Sequence, residues 1–130
     1  MQIVVDASAV LAVLLEEPER PALIATTRGM ELLAPASLPW EVGNALVAAV
    51  RRRRLTQDEA MAAWTGYEAV PIRLIEVDIR DAMRAAIDLG LYAYDGYVVT
   101  VARSRAAPLL TLDARLRTAA GRAGVPLLEV

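Results

Sequence analysis

The period of apolar positions changes repeatedly along the chain. Gln2 to Val5 is a short β-branched, apolar run that ends at Asp6, and it predicts a strand. Ala7 to Glu16 has helix composition and is interrupted at Pro18. A second short helix is expected over Glu19 to Gly29, with Pro21 in its first turn and Gly29 near its end. Met30 to Pro35 predicts a second strand. Ser37 then suits a helix N-cap and Pro39 the first turn. Leu38, Val42, Ala45, Leu46, Ala49 and Val50 recur at helical spacing, and Arg51 to Arg54 suit the carbonyl end of that helix. Thr56 and Glu59 form a capping box before a helix that runs to about Tyr67.

The second half repeats the alternation. Pro71 to Val77 has β character. Asp78 can cap a helix over Ile79 to Leu89, with Gly90 as its stop. Leu91 to Tyr94 reads as a loop, and a helix is expected from about Asp95 to Arg105. Pro108 to Leu112 predicts a strand followed directly by Asp113. A helix over Ala114 to Ala123 and a last strand over Val125 to Val130 complete the pattern. Strands alternating with crossover-length helices imply an α/β fold: a three-layer α/β/α sandwich with a mostly parallel five-stranded sheet. With 130 residues, a single domain over the whole chain is expected. Ligands of such sheets bind beyond the carboxyl ends of strands at a topological switch point. Asp6 and Asp113 both follow strands directly.

Composition narrows the chemistry. The chain has no cysteine and no histidine, and all 14 basic residues are arginine. Disulfides, thiolate chemistry, cysteine-type zinc sites and Ser-His-Asp catalysis are excluded. No lysine follows a glycine-rich run and no GxGxxG is present, so P-loop and dinucleotide binding are poor readings. A D-x-D phosphatase fails because residue 8 is serine and lysine is absent; a phosphoacceptor receiver fails on the same lysine. Carboxylates, arginines, hydroxyls and a bound metal remain. The net charge of −2 argues against nucleic-acid binding by field alone, though a local arginine patch stays open. The longest apolar run, Ala9 to Leu15, is far short of the ~20 residues of a membrane span. No membrane association and a cytoplasmic location are expected.

Four acids carry the functional argument. Asp6 ends an apolar strand, where an unpaired buried charge is costly. Glu41 lies in the first turn of a helix and shares a face with Asn44. Asp95 and Asp113 precede or open helices. Each has a plain alternative as a helix cap or a first-turn acid. If all four meet at one sheet edge, repulsion becomes the issue. Two like charges 4 Å apart repel by about 4 kcal/mol at an effective dielectric of 20. A hard divalent cation removes that repulsion, and carboxylate oxygens suit magnesium or manganese. Such an ion can activate water and stabilise charge on a phosphoryl oxygen without histidine, cysteine or lysine.

On these segments the sequence resembles the PIN-domain ribonucleases, and more narrowly the VapC-type toxins. IVVDASAVLAVLLEE matches the family's opening and places its first acid on Asp6, beside Ser8. LPWEVGNAL places the second on Glu41, with Asn44 as polar companion. AYDGYVVTVA places the third on Asp95, and PLLTLDARL the fourth on Asp113, with Thr111 before it. The four segments stand in family order. The departure is Gly96, where alanine is commoner. The resemblance implies a metal-dependent endoribonuclease that uses Mg2+ or Mn2+, with Asp6, Glu41, Asp95 and Asp113 as catalytic and metal-holding residues. Ser8, Asn44 and Thr111 would orient them. It also implies a homodimer, a cognate VapB-type antitoxin, a transfer or ribosomal RNA substrate, and operator DNA bound only through the antitoxin. The antitoxin cleft is expected around residues 37–67.

Other readings stay open. The arginines at 51, 52, 53 and 54 (Arg51, Arg52, Arg53, Arg54) suit a solvated helix end, RNA phosphates or antitoxin acids, and Arg115 is a further candidate for such contact. Trp40 and Trp64 read as core or interface packing in preference to base stacking. The alternatives to a ribonuclease are a structure-specific DNA nuclease of the same fold and a non-catalytic partner-binding domain.

Overall fold

A computed structural model describes residues 1–130. In chain order the elements are β1 (Gln2–Val5), α1 (Ala7–Leu14), α2 (Arg20–Thr27), β2 (Glu31–Pro35), α3 (Leu38–Arg51) and α4 (Gln57–Glu68). They continue with β3 (Ile72–Ile75), α5 (Ile79–Leu89), α6 (Ala93–Arg105), β4 (Leu109–Leu110) and α7 (Ala114–Arg122). Local chemistry sets most boundaries. The Thr56 hydroxyl accepts from the Glu59 N–H at 3.1 Å while the Glu59 carboxylate accepts from the Thr56 N–H at 2.8 Å. Asp78 caps α5 through the Asp81 N–H. Gly90 ends α5 in the left-handed region at φ 68°, which glycine adopts without penalty.

The strands form one parallel sheet in the order β3-β2-β1-β4. Successive strand residues point to opposite faces, and both faces are covered. Ile3, Val5, Ala34 and Leu110 pack against residues of α1 to α4, including Val10, Leu23, Leu38, Val42 and Leu46. Val4, Leu33 and Leu109 pack on the other side against Val98, Val99, Val101 and Ala102 of α6 and Leu116 and Ala120 of α7. The three-layer α/β/α expectation therefore holds.

The five-stranded expectation does not: the sheet has four strands. The Val125 to Val130 segment makes a single bridge, Leu109 to Leu127, flanked by the Leu109 N–H to Pro126 carbonyl bond and the Leu128 N–H to Leu109 carbonyl bond. β4 is too short to extend the ladder. The Leu128 carbonyl then accepts from the Arg117 guanidinium, and Arg117 pairs with Glu129 at 2.8 Å. The start of α6 also differs from expectation. The helix begins at Ala93, so Asp95 is its third residue and not its cap.

The sheet order fixes where a ligand can bind. The chain leaves β1 through α1 and α2 on one face, and leaves β4 through α7 on the other. β1 and β4 are neighbours, so the gap beyond their carboxyl ends is the topological switch point. The last β1–β4 pair is Val5 with Leu110, and one residue further come Asp6 and Thr111. No helix is long and apolar enough to cross a membrane.

Candidate metal and active site

Asp6 sits at the switch point and is only 6% exposed. It caps α1 by accepting from the Ala9 N–H at 3.1 Å. Two hydroxyls supply the rest of its shell. Ser8 Oγ donates to the carboxylate, at 2.7 and 2.9 Å from its two oxygens, and Thr111 Oγ1 donates to Oδ2 at 2.6 Å. Both hydroxyls are held in turn by the backbone that follows β4. The Leu112 N–H donates to Ser8 Oγ at 3.0 Å, and the Asp113 N–H donates to Thr111 Oγ1 at 3.1 Å. The lone pairs of the hydroxyls are thereby used and their own protons are directed at Asp6. Burial pushes the Asp6 carboxyl above its ordinary pKa; the Thr111, Ser8 and Ala9 donors offset part of that, and the charge of Asp113 adds to it.

Glu41 lies in the first turn of α3. Ser37 occupies the N-cap position there, but its hydroxyl caps no backbone N–H; it donates to Glu41 Oε2 at 3.2 Å. Glu41 is pushed up to about 7, first by burial, with Ser37 opposing and the charges of Asp6 and Asp95 adding. Asp95 makes no hydrogen bond and is half-buried, so the helix-cap alternative fails for it. Its pKa is raised by burial and by Asp113 and Asp6, and is partly held down by Arg115. Asp113 does cap its helix, accepting from the Leu116 N–H at 2.9 Å, and is exposed at the same edge.

The four acids thus meet electrostatically, from the ends of β1 and β4 and the first turns of α3 and α6. No three of them stand within ligating reach of one point. Their donor chemistry nonetheless fits a hard divalent cation: the donors are carboxylate and hydroxyl oxygens, and burial first, then mutual charge, raises the pKa of Asp6, Glu41 and Asp95, which a cation would offset.

Ser8 and Thr111 fall where the sequence places them, on Asp6. Asn44 does not join the cluster through any hydrogen bond; it is exposed on the surface of α3. Arg51 to Arg54 are exposed and unpaired at the other end of α3. Ten residues separate Glu41 from Arg51, about 15 Å of helix. Arg115 is exposed and close enough to act on Asp95. Sequence reasoning gave Ser37 only a capping role; the i, i+4 spacing of Ser37 and Glu41 is the signal that could have paired them. Of the core or interface packing expected for Trp40, the core is excluded, since Trp40 is 73% exposed.

Comparison with known proteins gives a consistent answer. The PIN domain family model matches residues 3–122. Ribonuclease VapC3 of Pyrobaculum aerophilum is 33% identical over 121 residues, which span 89% of this chain and 92% of that protein. The crystal structure of PAE2754, also from Pyrobaculum aerophilum, superposes with a TM-score of 0.74 at 24% identity, covering 98% of this chain and 83% of the other. VapBC2 of Rickettsia felis, solved bound to a DNA fragment from its promoter, gives a TM-score of 0.66 at 9% identity, covering 98% of each chain. With a family model spanning nearly all of its length and a third of its aligned residues shared with a VapC protein, this chain belongs to the PIN-domain family, in its VapC-type branch.

Proposed function

We propose that the chain is a divalent-metal-dependent endoribonuclease, the toxin of a toxin–antitoxin pair, that hydrolyses RNA phosphodiesters. The observation that carries this is the coupling of Asp6, Glu41, Asp95 and Asp113 at the β1–β4 switch point, where each of the first three is raised by at least one other. Asp6 and Asp95 would hold Mg2+ or Mn2+, and Glu41 and Asp113 would complete the oxygen set, directly or through water. The ion supplies charge neutralisation at the phosphate and a lowered water pKa. The chain's own residues do the remainder. Ser8 and Thr111 fix the Asp6 carboxylate in one orientation, and Ser37 orients Glu41. Glu41, at about 7 without a cation, would give up its proton as the ion binds, leaving its carboxylate to hold the ion or a water on it. The products are a 5′-phosphate and a 3′-hydroxyl, since no histidine pair serves a route through the 2′-oxygen.

The VapC relative and the VapBC2 likeness support a VapB-type antitoxin as the partner, with operator DNA reached through it. The exposed apolar groove between α3 and α4, lined by Leu46, Val47, Val50, Met61 and Trp64, suits that partner, and a homodimer accompanies this assembly. The test is Asp6→Asn. It removes magnesium-dependent cleavage of transfer and ribosomal RNA while leaving the circular dichroism spectrum of the wild type. Full activity in that variant, with metal supplied, ends the proposal.

A further inference from the structure

Three aromatic side chains next to the acids in sequence stay outside the core. Trp40 is 73% exposed, Tyr92 79% and Tyr94 52%, and none belongs to either core cluster. The contrast with Trp64 is informative: that ring stacks on Tyr67 at 4.9 Å and packs against the core. Trp40 directly precedes Glu41 in the first turn of α3, while Tyr92 and Tyr94 bracket the start of α6, whose third residue is Asp95. α3 starts just beyond the carboxyl end of β2, and the far end of α6 feeds the start of the parallel β4. The first turns of both helices therefore lie at the carboxyl edge of the sheet, and their exposed aromatic residues stand beside the acids. The Tyr94 ring is braced edge-on by Tyr97 at 5.6 Å and 90°, which limits its motion while leaving it open to solvent.

The electrostatics make such surface useful. The chain carries a net charge of −2, and the pocket is itself acidic, so RNA phosphates gain little from the field. The Arg51 to Arg54 run lies at the far end of α3, and Arg115 is the cation that acts on Asp95. Affinity for the nucleotides next to the scissile phosphate therefore needs contacts that do not depend on charge, and every nucleobase offers a π-face.

We propose that Trp40, Tyr92 and Tyr94 form a stacking subsite for the unpaired bases flanking the cleaved phosphate, and so select which single-stranded RNA segment is cut. The proposal rests on the ribonuclease reading above and adds its specificity determinant. In Trp64→Phe protein, Trp40 is the remaining tryptophan. Its emission, measured with chelator present, is quenched on titration with a short single-stranded oligoribonucleotide, and the emission of Trp64 in Trp40→Phe protein is not. With metal, Trp40→Ala and Tyr94→Ala each raise KM about tenfold with kcat little changed, and they redistribute the cleavage sites in a structured RNA. Trp40→Phe keeps most of the affinity. If the wild type cleaves RNA but Trp40 emission, KM and cleavage sites ignore these changes, the stacking subsite is overturned and the nuclease reading stands. If Trp40→Ala loses only its hold on a co-expressed antitoxin, the surface belongs to a protein and the proposal is overturned as well. A wild type that cleaves no RNA overturns both.

Discussion

Thr111 is a fully buried hydroxyl whose proton points at Asp6 and whose oxygen takes the Asp113 N–H. Thr111→Val keeps the shape but strands both partners, so it is expected to lower stability by about 1–3 kcal/mol in urea denaturation. Thr111→Ser is expected to recover most of it. Glu41 makes a pH prediction. Its folded pKa of about 7 exceeds the ordinary 4.5, so between those values the native state keeps a proton that the unfolded chain releases. Stability of the chelated protein therefore falls as pH rises through that window, and the raised values of Asp6 and Asp95 act with the same sign. Thermal melts in chelator should show this slope, and Glu41→Gln should flatten it and gain stability above neutrality. A slope unchanged by that substitution contradicts the assignment.

Among the elements, α5 and α6 meet through their smallest residues. A Cβ placed on Gly96 would lie 2.7 Å from the Ala82 carbonyl oxygen and 2.8 Å from Ala86 Cβ. On propensity alone, Gly96→Ala would stabilise α6 by about 1 kcal/mol. The clash with α5 backbone outweighs that gain, and a net loss of about 1–3 kcal/mol is expected in denaturant unfolding. An alanine at this position therefore needs a wider α5–α6 spacing than this chain has. No reading of the sequence revealed this, because the cost depends on what sits opposite. What the sequence disclosed well were elements with local signals: the Thr56–Glu59 box, the Asp78 cap, the Gly90 stop and the strand before Asp6. The start of α6 was missed because Tyr92 caps without a side-chain bond. The expected fifth strand does not form because the Val125 to Val130 segment, though strand-like in composition, has only a two-residue β4 to pair with and makes a single bridge at Leu127. Four acids were legible as candidates one by one. Their mutual coupling was not, since it arises from a sheet order that brings residues 6 and 113 together.

For the molecule as a whole, the proposed cation site would tie stability to metal. A ligand that binds only the folded state stabilises it by about 2.7 kcal/mol at a hundred times its Kd. Magnesium would have to displace the proton held by Glu41, whose pKa stands at about 7, so its effect on Tm should grow as pH rises through that value. Asp95→Asn should abolish most of that gain. A melting temperature indifferent to magnesium above neutrality would show that the pocket is not a cation site. The sequence separation of the pocket's parts has a further consequence. The Thr111 to Asp6 bond spans 105 positions. During synthesis on the ribosome, the Asp6 carboxylate is made first and waits for its hydroxyl collar until residue 111 has followed it out. A nascent chain that stops short of residue 111 thus carries Asp6, Glu41 and Asp95 without the hydroxyl that orients Asp6, and the acid pocket is assembled only once the β4 end has joined β1.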